Sequence, residues 1–348
     1  MKPRVAIVLF NLGGPDSPEA VGPFLRNLFS DPAILRVPFF VRPFLARLIA
    51  ARRLAPATAN YALLGGKSPL LELTRAQATA LEGALPEWDT RCFVAMRYWH
   101  PFSLETAREV KSWAPDQVIL LPLYPQFSTT TTASSLAAWR EAACAVGLVA
   151  PVSALCCYPE DPGFIDATRS GVIAAYTAAR QILDEGIGLR VLFSAHGLPE
   201  AIIRAGDPYQ WQVERTVAAV MAGWDGMVPA YHICYQSRAT PQKWLEPSTE
   251  HEIARAAADR TALLVVPIAF VSEHSETLVE LDVEYRDLAK KLGVPGYFRA
   301  PAQNAAAAFI AALAGLARRT LAQGPGMWAA GPGRLCPAAC GGCPQQAT

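Results

Sequence analysis

The ten residues 190–199, Arg-Val-Leu-Phe-Ser-Ala-His-Gly-Leu-Pro, restrict the fold of this chain more than any other stretch. Apolar and small residues run without a polar break into His196 and stop at Gly197 and Pro199. Such a run reads as a strand buried on both faces, which means a parallel sheet covered by helices. A second run, 262–271, empties into Ser272-Glu-His-Ser-Glu-Thr-Leu-Val-Glu-Leu-Asp-Val-Glu284. Open α/β sheets bind their ligands beyond the carboxyl ends of the strands, which makes His196 a candidate site residue. A hydrogen-bonded structural histidine is the alternative that position alone allows.

If 272–284 is an α-helix, Glu273, Glu276, Glu280 and Glu284 share one face, with His274 beside them. Like charges at that spacing cost roughly 0.2–0.5 kcal/mol per pair, so helix formation does not ask for them. Ser272 as N-cap and the helix dipole account for Glu273 and Glu276. Glu280 and Glu284 lie past the first turn, where the dipole gives nothing. A row of carboxylates opposite an imidazole fits the binding of a hard or borderline cation, or the movement of protons.

The remaining periodicity repeats the strand–helix alternation. Strands are expected over 5–10, 92–97, 117–123, 152–158, 230–234 and near Tyr297. Helices are expected from near Ser17 and over 70–85, 103–113, 134–146, 163–184, 208–222 and 303–320. With 348 residues, 52% of them hydrophobic and 18% charged, the chain is long enough for two cores. The reading is α/β: two Rossmann-like domains with parallel sheets and the active site in the cleft between them. The first domain takes 1–150 plus 301–322, the second 151–300, and 323–348 is a separate tail.

A net charge of +1, with no basic block longer than Arg52-Arg53 or Arg318-Arg319, excludes nucleic acid as the partner. The N-terminal residues lead straight into a strand, and no apolar run approaches the roughly 18–20 residues of a membrane span. A cytoplasmic protein is expected, its eight cysteines thiols or metal ligands rather than disulfides. The turn Asn11-Leu-Gly-Gly-Pro15 lacks the third glycine of a dinucleotide site and the Gly-Lys-Ser of a P-loop, which excludes nucleotide binding there. Segment 34–54 mixes prolines and large apolar residues with Arg42, Arg47, Arg52 and Arg53. It is either a core helix with snorkelling arginines or an interfacial lip toward lipid or a greasy ligand. Arg97, Tyr98 and Trp99 put a cation beside two aromatics at a strand end, a surface suited to a flat π-system. In the tail, Cys336, Cys340 and Cys343 are spaced to wrap one metal centre, iron–sulfur or zinc.

The ordered set LNLGGPDSP, LLGGKSPL, MRYWHP, LPLYPQFSTTTTASS, SAHGLP and PIAFVSEHSETLVELDVEY resembles the ferrochelatase family, from about Arg4 to Arg319. The resemblance implies a chelatase-like fold and insertion of ferrous iron, the substrate metal, into protoporphyrin IX, the last step of haem biosynthesis. It assigns catalysis and metal contact to His196 and Glu276, with Glu273, His274, Glu280 and Glu284 as a proton or metal relay. It places porphyrin contacts at Leu12, where some members carry methionine, and at Arg52, Arg53, Tyr61, Ser68, Arg97, Tyr98 and Trp244. Tyr61 and Ser68 match positions that hydrogen-bond a propionate. Many members hold a [2Fe-2S] cluster on a C-terminal cysteine trio plus one internal cysteine. This trio's spacing differs from that of animal members, and the loop 128–132, which holds their internal cysteine, has none here. The fourth ligand is then expected at Cys157, with Cys156 or Cys144 as substitutes. Family likeness favours the lip, and with it peripheral contact at the inner face of the plasma membrane. Monomer and homodimer stay open, as does whether His196 acts as base or ligand. A chelatase for coproporphyrin III or another metal–tetrapyrrole pair, and a non-enzymatic tetrapyrrole binder, are the alternatives.

Overall fold

The computed structural model describes residues 2–224, 226–238 and 242–345. The chain between Gln236 and Trp244, which the alternation leaves as a loop, is therefore described only in part, with 239–241 outside the described residues. Among the described residues nine strands build two wholly parallel sheets, and the chain divides into two compact units. The first unit runs through Cys157 and takes in Ala314–Ala329; the second comprises Tyr158–Leu313 and the chain from Ala330 on.

In the first unit β1 (Arg4–Asn11) lies between β2 (Asp89–Met96) and β3 (Gln117–Pro122), and β4 (Val152–Leu155) follows β3. Val5 to Phe10 are buried without exception because helices cover both faces of β1. Phe10, Phe93, Val118 and Leu120 pack with Trp139 on one side, and Phe10 meets the Trp139 ring edge-on at 6.0 Å. Sequence alone ends this unit at 150, but Val118, Ile119 and Leu120 pair with Val152, Ser153 and Ala154. A strand belongs with the sheet that bonds it, so the boundary moves past β4.

The second unit orders its strands β6 (Tyr231–Gln236), β5 (Leu189–His196), β7 (Ala262–Pro267), β8 (Tyr297–Arg299). Leu192, Cys234, Leu263 and Val265 form its core with Ile253, Leu281 and Tyr285. Truncating a side chain as enclosed as Leu281 to alanine costs about 2–5 kcal/mol. Residues 326–328, expected in a free tail, form β9 (Gly326–Trp328) and pair with β4 of the first unit.

Helices Ser103–Trp113, Tyr209–Ala222 and Pro162–Ile182 lie close to where periodicity puts them. Thr249–Ala258 is a helix that periodicity misses, since Ile253 is its only large aliphatic side chain; Ser248 caps it by accepting from His251 N at 3.2 Å. In the arginine-rich segment 34–41 is irregular around Pro38, and from Arg42 one helix, Arg42–Leu63, takes Pro43 into its first turn and continues through Pro56. After β7, the expected α-helix is a π-helix over Glu276–Glu284, followed by an α-helix over Tyr285–Leu292. Such i→i+5 turns are rare and concentrate at functional sites.

Candidate functional site

The carboxyl ends of β5 and β6 lie side by side, with His196 paired to Gln236 in the register. The residue after His196 is glycine because a Cβ there would stand 2.8 Å from the Gln236 carbonyl and 3.4 Å from the Trp244 ring. Trp244 thus packs beside the strand end that carries His196. The π-helix begins just beyond the end of β7 and brings Glu276 Oε2 to 2.9 Å from His196 Nδ1. His274 stands on the other side of this carboxylate, its Nε2 3.8 Å away and its Nδ1 at 3.2 Å from the Ser272 carbonyl. Nδ1 of His274 therefore donates to that carbonyl.

Glu280 is the most heavily bonded carboxylate here. It accepts from Gln236 Nε2 at 2.9 Å, Ser237 N at 2.9 Å, Tyr285 Oη at 3.0 Å and the Ser237 hydroxyl. Ser237 adopts φ +66°, a left-handed conformation that a non-glycine residue rarely takes, and that turn aims its N–H at Glu280. Gln236, Ser237 and Tyr285 escape sequence reasoning; the register partner of His196 is the one signal that finds Gln236.

The two carboxylates are driven apart electrostatically. Burial works to raise Glu276, but the His196 charge and hydrogen bond, aided by His274, hold it well below the usual carboxylate range. Glu280 is raised, by burial and then by the negative charge of Glu276, with the Ser237 and Gln236 donors acting the other way. For His196 burial lowers the pKa, yet Glu276 and then Glu280 outweigh it and hold it above the ordinary imidazole value. Its side chain is 37% exposed, and among the described residues its Nε2 has no hydrogen-bond partner. A histidine that gives Nδ1–H to a carboxylate keeps an Nε2 lone pair for a proton or a metal ion.

The expected four-acid row is shorter in the structure. Glu273 is buried and accepts from Arg299 Nη1 at 2.9 Å and Ala302 N at 2.8 Å, so it is held in the fabric of the unit. Glu284 is exposed at the far end of the π-helix. Glu273 lies before the helix begins, so helical spacing does not apply to it, and within Glu276–Glu284 i→i+5 bonding abandons the face that α-helical spacing assigns.

In the first unit the candidate porphyrin residues gather at the carboxyl ends of β1 and β2. Arg97 N and Tyr98 N donate to the carbonyls of Asn11 and Leu12, both at 2.9 Å. A Cβ on Gly14 would lie 2.5 Å from Ser68 and 3.8 Å from Tyr61 Oη, so Leu12, Gly14, Tyr61 and Ser68 crowd one turn. Tyr98 is buried, and its hydroxyl donates to Asp31 Oδ2 at 2.9 Å. It offers no open ring face, which corrects its expected part in a stacking surface; it packs behind Arg97. Arg52 and Arg53 are exposed on helix Arg42–Leu63. Near its start Phe39, Phe40 and Phe44 are 79%, 71% and 73% exposed. No helix among the described residues is long and apolar enough to cross a membrane.

The cysteine segment folds around a cation. Arg334 donates to the carbonyls of Cys336 at 3.0 Å, Pro337 at 2.9 Å and Cys340 at 2.8 Å. Cys336 is buried, takes a hydrogen bond from Gln212 Nε2 at 3.1 Å and contacts Cys343. Cys157 sits beside Cys156, Sγ to Sγ 3.5 Å, in the unit that does not hold the trio, and Cys144 is exposed. Among the described residues no three His, Cys, Asp or Glu side chains converge as a metal cage. The folded trio is a thiol pair with Cys340 alongside.

Two parallel α/β units with a histidine and a carboxylate pair at strand ends define a chelatase-type protein. SirB from Bacillus subtilis, described with Fe3+, shares this fold at a TM-score of 0.51 and 14% identity, over 93% of this chain and 97% of that one. The ferrochelatase family model matches residues 4–321. Ferrochelatase of Caulobacter vibrioides is 50% identical over 348 residues, covering 99% of this chain and 98% of that protein. Ferrochelatase of Phenylobacterium zucineum is 51% identical over 351 residues, covering 98% and 97%. This chain belongs to the ferrochelatase family.

Proposed function

We propose that this chain, a metal chelatase, inserts ferrous iron into protoporphyrin IX, forming protohaem and releasing the two pyrrole protons. The observation that carries the reading is the 2.9 Å contact of His196 Nδ1 with Glu276, which leaves Nε2 open at a strand end. Free-base porphyrin holds two N–H protons where the metal must go, so insertion needs a positioned acceptor. His196 accepts one at Nε2, the resulting imidazolium being stabilised by the carboxylate already bonded to it, and once that proton has passed on to solvent the same nitrogen accepts the second. Glu276, ionised, and Glu280, biased toward its neutral form, differ in proton affinity by environment; such a pair hands a proton on. Either nitrogen-rich or carboxylate face also suits Fe2+, a borderline cation.

Leu12, Tyr61, Ser68 and Arg97 are proposed as the first unit's contacts to the macrocycle and its propionates, with Arg52, Arg53 and Trp244 as further contacts. Phe39, Phe40 and Phe44, flanked by arginines, are proposed as a peripheral contact with an anionic membrane, a composition that favours the interface plane.

The test is an anaerobic assay of Fe2+ or Zn2+ insertion into protoporphyrin IX, followed by loss of free-base fluorescence. Wild type is expected to turn over, and His196→Ala to lose about 10²–10⁴-fold in kcat while still quenching porphyrin fluorescence on binding. Turnover of that variant at the wild-type rate removes His196 from the reaction.

A further inference from the structure

The helix that carries Glu276 and Glu280 is held from outside by the edge strand β8. Tyr297 Oη donates to the Leu281 carbonyl, inside the π-helix, at 2.7 Å. Arg299 lies two residues further along the strand and so on the same face. Its Nη1 is 2.9 Å from Glu273 Oε1 and its Nη2 2.6 Å from Asp282 Oδ2. Glu273 precedes Glu276 by three residues and Asp282 follows Glu280 by two, so one guanidinium spans the stretch that holds both site carboxylates. The arrangement is firm at each contact. The side chains of Arg299 and Glu273 are 9% and 11% exposed, and the Glu273 N–H is fixed by Asn304 Oδ1 at 3.0 Å. A planar fork makes two directed bonds at once, which an ammonium on a flexible stem does not reproduce.

We propose that Arg299, seconded by Tyr297, is a positioning residue for metal insertion. It sets the pitch and register of 276–284 so that Glu276 meets His196 Nδ1 and Glu280 meets Gln236. The inference rests on the proposed function and extends it to residues that touch neither His196 nor Glu276. A brace that served the fold alone would change stability and leave the chemistry as it is. This one also fixes where Glu276 stands, because the two residues it clamps flank the stretch that brings that carboxylate to 2.9 Å from His196 Nδ1.

The test uses the full chain carrying Arg299→Lys or Tyr297→Phe, with Zn2+ insertion into protoporphyrin IX and the NMR resonance of the His196 Nδ1–H proton bonded to Glu276 as separate readouts. Arg299→Lys is expected to lower kcat by up to about 100-fold, the scale of a displaced catalytic group, with KM for the porphyrin unchanged. In the same variant that proton resonance moves upfield, because the contact with Glu276 lengthens. Tyr297→Phe moves both readouts the same way and less far, and it decides the matter if Arg299→Lys does not fold. A lower melting temperature with kcat and the Nδ1–H resonance at wild-type values overturns the proposal. Wild type that inserts no metal sinks the proposed function instead, and the Nδ1–H resonance in the variants still decides this inference.

Discussion

Gln236 reaches Glu280 with its amide nitrogen at 2.9 Å, and the direction of that amide is set from behind by Ser194, whose hydroxyl donates to Gln236 Oε1 at 2.8 Å. Ser194 lies two residues before His196 on β5. One strand therefore presents the imidazole and, through its neighbour, steers a carboxylate on another element.

Gln236→Leu removes a donor that stabilises the Glu280 anion while burial and Glu276 go on opposing it. The Glu280 carboxyl is expected to titrate at still higher pH than in wild type, read by carbon NMR of the labelled side chain. An unmoved midpoint would assign its environment to Ser237 and Tyr285 alone.

The His196–Glu276 pair has a defined stability window. A raised imidazole pKa contributes stability that is complete below its ordinary value, 6.5, and is lost as pH rises through the folded value. A lowered carboxylate pKa contributes stability that is present above its ordinary value, 4.5, and is lost as pH falls through the folded value. Both hold together only between about 4.5 and 6.5. The melting-temperature difference between wild type and Glu276→Gln is expected to peak there and to shrink toward alkaline pH. A difference that grows above neutrality would reverse the assignment.

Asp31, 4% exposed, accepts from Arg97 Nη2 at 2.8 Å, Tyr98 Oη at 2.9 Å, Ser134 Oγ at 2.5 Å and Ala33 N at 2.8 Å. Removing its charge strands a partly enclosed guanidinium, so Asp31→Asn is expected to cost about 3–5 kcal/mol in urea unfolding. With Arg97→Met already in place the same change costs much less. Additive losses across the double-mutant cycle would mean that the two side chains do not act as a pair.

Cys343 is expected to be the fastest thiol to alkylate at neutral pH. The Cys336 hydrogen bond, a backbone contact at Gln345 and the Arg334 charge outweigh burial and bring it down to about 6. Burial pushes Cys234 up to about 12. Iodoacetamide labelling followed by peptide mass spectrometry checks the order. Protection of Cys336, Cys340 and Cys343 together, in a brown protein, would mean that these sulfurs ligate metal in solution.

The strands were legible because burial on both faces leaves an uninterrupted apolar record, as at 190–195 and 262–267. His196 was legible because it interrupts such a record at its end. Glu276 and Glu280 followed from their spacing, but the π-helix did not, since no residue type marks an extra residue per turn. Its supports, Tyr297 and Arg299, sit on a three-residue edge strand too short to carry periodicity. Asp31 and Gln236 matter through partners 66 and 44 residues away in sequence, Arg97 and Glu280, and no local pattern reports that. In the tail, cysteine spacing says which sulfurs can reach a common point, but not the contacts of Arg334 and Gln212 that hold the segment.

The pairing of β9 with β4 carries a consequence for how the chain is made. Synthesis delivers Tyr158–Leu313, nearly all of the second unit, before residues 326–328 exist to seal the rim of the first sheet. A nascent polypeptide stalled near residue 320 would hold one sheet with its full complement of strands and another with a bare flank along Ser153, Ala154 and Leu155. That flank is a ready template for adventitious pairing, so ribosome-bound intermediates of this length are where aggregation would begin.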